Sequence, residues 1–310
     1  MAIPMRLLIG YDGSPYGDAA LDDLRRAGLP QAVEAIVLSV ADVLLPPAGD
    51  EPPPSQWAKQ LMEEANREAS RLLEEAHAIA QRGCQRLQAY FPEWQVHAQA
   101  CADSPAWGII LKAEEWQADL VVVGSHSRSA LGRLFLGSVS QMVVNQAHCS
   151  VRVARAREVA PDQPLRLLIG VDGSAQAEVA VRAVAARRWP PRTEVRLMAA
   201  VDPRLLTTLA AASRMDPTGS GDGRAQVGRM IEATGELVRQ GAPQVTVSTV
   251  IKDGDPKQLL LAEAEQWGAD CIFVGPRGHG QRERLWLGSV STAIAAQARC
   301  SVEVVRAKPE

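Results

Sequence analysis

The residues with the clearest chemical potential in this sequence are small ones. Gly275 and Gly278 are followed by nine residues and then Gly288-Ser289, a G-x2-G-x9-G-S pattern. The stretch leaves an apolar run, Cys271–Val274, and enters a segment of helical spacing. Backbone N–H groups with no side chain in the way approach a phosphate closely, and a helix N-terminus is electropositive. Ser289 adds a hydroxyl, and Arg277, Arg282 and Arg284 bring positive charge to the same stretch. An acid stands far upstream in Asp172-Gly173-Ser174, directly after another apolar run. The chemistry implied is the holding of a phosphorylated ligand. The Walker arrangement G-x4-G-K-[S/T] is absent and the loop offers no general base, so fast phosphoryl transfer is not expected.

The same set occurs once more. Leu165–Ser174 repeats Met5–Ser14 at an offset of 160, so Asp12-Gly13-Ser14 mirrors Asp172-Gly173-Ser174. Trp267–Gly275 repeats Trp116–Gly124, and Leu287–Ser291 repeats Leu136–Ser140, both at an offset of 151. Cys300-Ser301-Val302 repeats Cys149-Ser150-Val151. Order is kept, which predicts two diverged copies of one domain, 1–158 and 163–310, joined by a short Pro-containing linker. The copies differ at one chemically important place: Gly124-Ser125-His126-Ser127 puts Ser127 where the second copy has Gly278. If that position requires a left-handed backbone, a serine there costs roughly 1–2 kcal/mol, so the second copy is expected to bind better. Pro276 removes one backbone donor from the second copy.

These residues need elements to position them. In the first copy, Arg6–Gly10, Ala35–Ala41, Val96–Cys101, Leu120–Gly124 and Ser150–Ala154 read as strands. Pro15–Ala27, capped by Ser14, alternates with them as a helix, as do Gln56–Ala89, Pro105–Gln117 after Ser104, and Gly137–Ala147. Pro46–Pro54 reads as loop, and the second copy keeps the same order. Apolar strands alternating with helices predict an α/β fold: two doubly wound, parallel, five-stranded sheets in tandem. Ligands in such folds lie beyond the C-terminal strand ends, which selects the Asp-Gly-Ser turns and the glycine stretches.

Composition narrows the function classes. Hydrophobic residues make up 46% and charged ones 22%, enough for a core in each copy. Net charge is -3, split as -5 over residues 1–160 and +2 over 161–310, unlike a nucleic-acid binder. No apolar run reaches the ~18 residues of a membrane span, and the N-terminus does not read as a secretory signal. Cys84, Cys101, Cys149, Cys271 and Cys300 are widely spaced, which fits reduced, mostly buried thiols in a cytoplasmic protein and no metal site. Trp116 and Trp267 read as packing residues, and His126, His279, Arg128 and Arg133 as solvated loop residues.

The G-x2-G-x9-G-[S/T] stretch after the fourth strand, the early Asp, the Asp255-Pro256 helix start and the Cys-Ser-Val strand together resemble the nucleotide-binding universal stress proteins, over essentially the whole chain, twice. The resemblance implies an adenine-nucleotide α-hydrolase-like fold. It implies ATP as ligand, with Mg²⁺ as the usual companion of a triphosphate. By position, it implies that Asp172, with Gly173, Ala200 and Val201, contacts adenosine, that Gly254 borders the base and that Gly275 lies near the ribose. Arg277, Gly278, Gly288, Ser289, Val290 and Ser291 would surround the phosphates. The counterparts are Asp12, Gly13, Val40, Asp103, Gly124, Ser127, Gly137, Ser138, Val139 and Ser140. It also implies pairing of the domains through Ser150–Ala154 and Ser301–Val305, and association of two chains. The expected role is regulatory or stress-protective, with at most slow hydrolysis and no enzyme activity proper. The alternative is a stress scaffold that binds partner proteins and no nucleotide. An adenylyl transferase is disfavoured, because His-Ile-Gly-His and Ser-Gly-Gly-x-Asp are absent.

Overall fold

The computed structural model describes residues 3–43, 55–125, 136–156, 163–201, 223–278 and 287–308. The first half runs β1 (Met5–Gly10), α1 (Pro15–Asp23), β2 (Val33–Ala41), α2 (Gln56–Tyr90), β3 (Gln95–Ala102), α3 (Pro105–Glu115), β4 (Leu120–Gly124), α4 (Ser138–Gln146) and β5 (Ser150–Ala154). The second runs β6 (Arg166–Gly170), α5 (Ala175–Ala185), β7 (Glu194–Val201), α6 (Gly223–Gly241), β8 (Thr246–Asp253), α7 (Pro256–Trp267), β9 (Cys271–Val274), α8 (Ser289–Gln297) and β10 (Ser301–Val304).

Within each half the strands are parallel, in the order β3-β2-β1-β4-β5 and its counterpart β8-β7-β6-β9-β10. The two sheets meet edge to edge. β5 pairs antiparallel with β10, so the described strands form one ten-stranded sheet. Each half thus covers an edge that would otherwise present unpaired backbone groups.

The strands are apolar on both faces because helices cover both. Leu8 packs into a core under α3, α4, α7 and α8, whereas Leu7 and Ile9 face α1 and α2. The first of these cores is continuous across the halves, joining Val151 and Val153 to Val302 and Val304. On the opposite face the cores are separate, one in each half. Arg152 and Glu303 stand between them, both buried.

Two helices differ from expectation in detail. The first is α-helical only to Asp23 and tightens into a 3-10 turn, Leu24–Arg26, before Gly28 reverses the chain at φ 64°. The long helix α2 spans 35 residues, about 52 Å at 1.5 Å per residue. Its buried line runs Ala69, Ala76, Ala80 and Leu87, while Trp57 and Leu61 near its start are exposed. No described helix is long and apolar enough to cross a membrane.

Candidate functional site at the carboxyl ends of the strands

In both halves the strand order reverses between the first and fourth strands: β1 against β4, and β6 against β9. Such a reversal opens a crevice beyond the carboxyl ends. Asp12 and Asp172 leave the first strand of each pair, and the glycine stretches leave the fourth.

The acid turns are built alike. Ser14 N–H donates to Asp12 Oδ1 at 3.0 Å, and Ser174 N–H to Asp172 Oδ1 at 3.0 Å. Gly13 and Gly173 take φ of 70° and 76°, the left-handed region that glycine supplies cheaply. The serines then cap the next helix: Gly17 N–H donates to Ser14 Oγ and Ala177 N–H to Ser174 Oγ, each at 3.1 Å. One turn therefore both caps the helix and holds an acid at the crevice.

Gly124 and Gly275 are required by space. A Cβ on Gly124 would lie 2.7 Å from the Tyr16 carbonyl oxygen, and one on Gly275 would lie 2.7 Å from that of Gln176. The first helical turn of α1 or α5 rests directly on the end of the fourth strand. Nothing in the sequence around Tyr16 or Gln176 signals this; only the glycine itself does.

At Gly278 the condition of a left-handed backbone is not met. A Cβ there would instead collide with Asp172 Oδ2, well inside 3.0 Å. The absence of a side chain at Gly278 lets its backbone lie against the acid after β6. This contact spans more than 100 residues of sequence, so local reasoning could not name it. Its counterpart Ser127 lies outside the described residues, as do His126, Arg128, Arg133, His279, Arg282 and Arg284.

The helix starts that follow are again equivalent. Gly137 N–H donates to the Ser125 carbonyl at 2.8 Å, and Gly288 N–H to the Pro276 carbonyl at 2.7 Å. Pro276 lacks a donor but supplies the acceptor that closes its loop. The first intrahelical bonds come from Gln141 and Thr292. The N–H groups of Ser138, Val139 and Ser140, and of Ser289, Val290 and Ser291, therefore have no acceptor within their own helices. Ser138 and Ser289 are exposed. The hydroxyls of Ser140 and Ser291 turn inward and donate to the Gly124 and Gly275 carbonyls at 2.6 Å. Those two serines therefore face the crevice through their backbone. Arg277 lies close enough to Arg306 to help lower its pKa, which burial above all brings down to about 10.

The far end of each crevice is framed by the second and third strands. Val40 lies across from Cys101, Ala200 from Lys252 and Val201 from Asp253. Asp103 N–H donates to the Ala41 carbonyl at 3.1 Å, and Gly254 N–H to that of Val201 at 3.2 Å. Gly254 has φ 136°, a backbone that Asp103 does not share. Below this end the second half carries charges that sequence reasoning missed. Buried Glu263 accepts from Arg196 Nη1 and from Lys252 Nζ, both at 2.6 Å. Burial works against its charge, but bonds from Lys252 and Arg196 win and lower its pKa. The signal was present: Glu263 sits three residues after Leu260 and beside Ala264, on the apolar stripe of α7.

None of the five cysteines forms a disulfide; Cys271 and Cys300 are buried and the other three half-buried. Burial pushes the Cys149 thiol up to about 11 and also raises that of Cys101, so neither is a ready nucleophile. Trp116 and Trp267 pack against the shared core, and the Arg196 guanidinium lies 4.2 Å from the Trp267 ring centre. Among the described residues, no group of three or more His, Cys, Asp or Glu could hold a metal ion.

Comparison with known proteins agrees with this architecture. The universal stress protein family model matches residues 5–155 and again 165–306. A universal stress protein of Mycolicibacterium smegmatis is 29% identical over 311 residues, covering 97% of this chain and 96% of that one. One from Mycobacterium tuberculosis is 30% identical over 192 residues, 61% of this chain and 62% of its own. Among solved structures, a universal stress protein from Archaeoglobus fulgidus shares the fold, with a TM-score of 0.60 and 22% identity over 97% of this chain and 98% of that one. Two family matches in tandem, on two halves with the same crevice, establish that this chain belongs to the universal stress protein family.

Proposed function

We propose that this protein binds adenine nucleotide, ATP above all, in the crevices between β1 and β4 and between β6 and β9, and acts as a cytoplasmic regulator with at most slow hydrolysis. The observation that carries this reading is the closure of Gly278 onto the Asp172 carboxylate beside the start of α8. A polar acceptor for a ribose or base and a set of backbone donors for phosphate then line one cleft. The residues fit such a ligand: Gly275 and Gly278 leave no side chain in the way, and Arg277 supplies positive charge. With no carboxylate cluster among the described residues to hold it, Mg²⁺ would arrive on the phosphates. Regulation follows if ATP prefers one arrangement of the glycine loop, since only differential affinity shifts a population.

The test is to denature purified protein and to identify and count the released nucleotide. About one ATP per chain supports a filled second crevice and a weaker first; about two shows that Ser127 is tolerated. No nucleotide, and no heat on titration with ATP and Mg²⁺, would overturn the reading.

A scaffold role has one feature in its favour. Trp107, Leu111 and Met142 are exposed on α3 and α4, where the second half has Gln258, Ala262 and Ala293. An apolar patch confined to one half suits a protein contact. Replacing Trp107 by Ser should leave nucleotide binding intact and remove any such contact.

A further inference from the structure

The seam between the halves contains two kinds of residue. Some are the same in both copies and reach across reciprocally. Ser150 Oγ accepts from Arg306 N–H, and Ser301 Oγ from Arg155 N–H, each at 3.1 Å. Arg155 donates to the carbonyls of Ala295 and Cys300, at 2.5 and 3.2 Å. Arg306 does the same to Val144 and Cys149, at 2.5 and 3.2 Å. Residues 150 and 155 of one copy are thus the same as 301 and 306 of the other. These contacts would form equally well between two first halves or two second halves.

The centre of the seam is different. Glu303 lies directly opposite Arg152 in the β5–β10 register, and the pseudo-twofold passes between them. They are equivalent positions of the repeat that carry opposite charges. Arg152 is 2% exposed and Glu303 0%. Arg152 Nη1 donates to Glu303 Oε2 at 3.0 Å across the seam, and its Nε donates to Asp23 Oδ2 at 2.5 Å within its own half. Arg187 in turn binds Glu303 within the second half. Asp23 and Arg187 are themselves unlike their counterparts, Ala183 and Ala27.

We infer that the buried Arg152–Glu303 pair makes the seam selective for unlike halves, so that each half accepts the other and rejects a second copy of itself. Two first halves paired in this register would set guanidinium against guanidinium, and two second halves carboxylate against carboxylate. Like charges directly opposite on a strand pair repel, and here no water reaches them to screen the repulsion. Asp23 and Arg187 leave each half close to neutral, so the penalty falls on the wrong pairing rather than on the half itself. The partner this edge fits is a universal stress domain bearing the opposite charge at its centre, which the chain supplies from its own sequence.

The experiment uses full-length chains. In Arg152→Glu both seam centres are acidic; in Glu303→Arg both are basic. Each alone should melt about 10 °C below the wild type. Mixed, every pairing between the two chains joins unlike charges, so a 1:1 two-chain species should appear by light scattering that neither variant forms alone. Wild-type melting temperatures, with no new species on mixing, would overturn the inference. Should the charge reversals fail to fold, Arg152→Met/Glu303→Met keeps the question open to test. It should fold yet self-associate with rising concentration beyond the wild type. The same mass as wild type at every concentration would equally overturn the inference.

Discussion

The two halves build the same crevice from the same backbone and differ in what surrounds it. Asp12 and Asp172 hold their turns with the same 3.0 Å bond. A Cβ on Gly124 or on Gly275 would meet a helix carbonyl at the same 2.7 Å. Ser140 and Ser291 donate to those glycines at the same 2.6 Å. Beneath α7, however, the second half places Arg196 and Lys252 on a buried Glu263, where the first has Ile36, Cys101 and Lys112. At the loop, Gly278 corresponds in sequence to Ser127. Divergence has preserved positions where backbone touches backbone and altered those where side chains decide charge and space. Backbone contacts cannot be repaired by a second substitution, whereas side-chain contacts can.

The strongest challenge to this comparison is to fill the conserved contact. Gly275→Val and Gly124→Val should each destabilise the fold by about 3 kcal/mol, because the obstructing atom is a carbonyl that cannot move aside. Urea denaturation should give the same loss in both halves; a tolerated valine in either would break the equivalence. The divergent charge cluster should behave oppositely. Glu263→Gln leaves two cations without their anion and should cost about 2 kcal/mol, short of the fully buried case because Arg196 and Lys252 are partly exposed. Lys112→Gln, at the equivalent position, should change stability by less than about 0.5 kcal/mol.

The same cluster predicts a pH dependence. The Glu263 and Glu303 carboxyls are held below their ordinary 4.5. For Glu303, burial opposes the charge but the Arg187 and Arg152 guanidiniums prevail. The unfolded chain therefore takes up protons first, and stability present above pH 4.5 is lost as pH falls toward the folded values. Melting temperature should drop below pH 4.5 in the wild type, and the drop should be shallower in Glu263→Gln.

Nucleotide affinity sharpens the comparison at the loop. Gly278→Ala should weaken ATP binding at least about tenfold, the equivalent of ~1.4 kcal/mol. Ser127→Gly should strengthen the first crevice by a similar factor and raise the titrated stoichiometry. If Gly278→Ala binds as tightly as wild type, the Asp172 contact does not govern the site. The smallest effect concerns the caps: Ser14→Ala and Ser174→Ala should each cost about 1 kcal/mol, read as a lowered melting temperature.

Much of this protein was legible along the chain. The apolar runs specified the parallel strands, because helices cover both faces and no polar alternation is needed. The Asp-Gly-Ser turns announced their own geometry, since asparagine-like capping by Asp and Ser involves atoms two or three residues apart. Repeat offsets of 160 and 151 located both crevices. Those features depend on neighbours in sequence. The reason for Gly278, the burial of Glu263 and the meeting of Arg152 with Glu303 depend on residues brought together from far apart. An arginine in a short strand reads the same whether it faces water or a carboxylate; only the antiparallel closure of β5 on β10 puts that carboxylate opposite it. Sequence alone determined the repeat, the strands and the Asp-Gly-Ser turns that follow them. Tertiary structure decided which side chains share a space, because periodicity names the face a residue lies on and not the residue it will meet there.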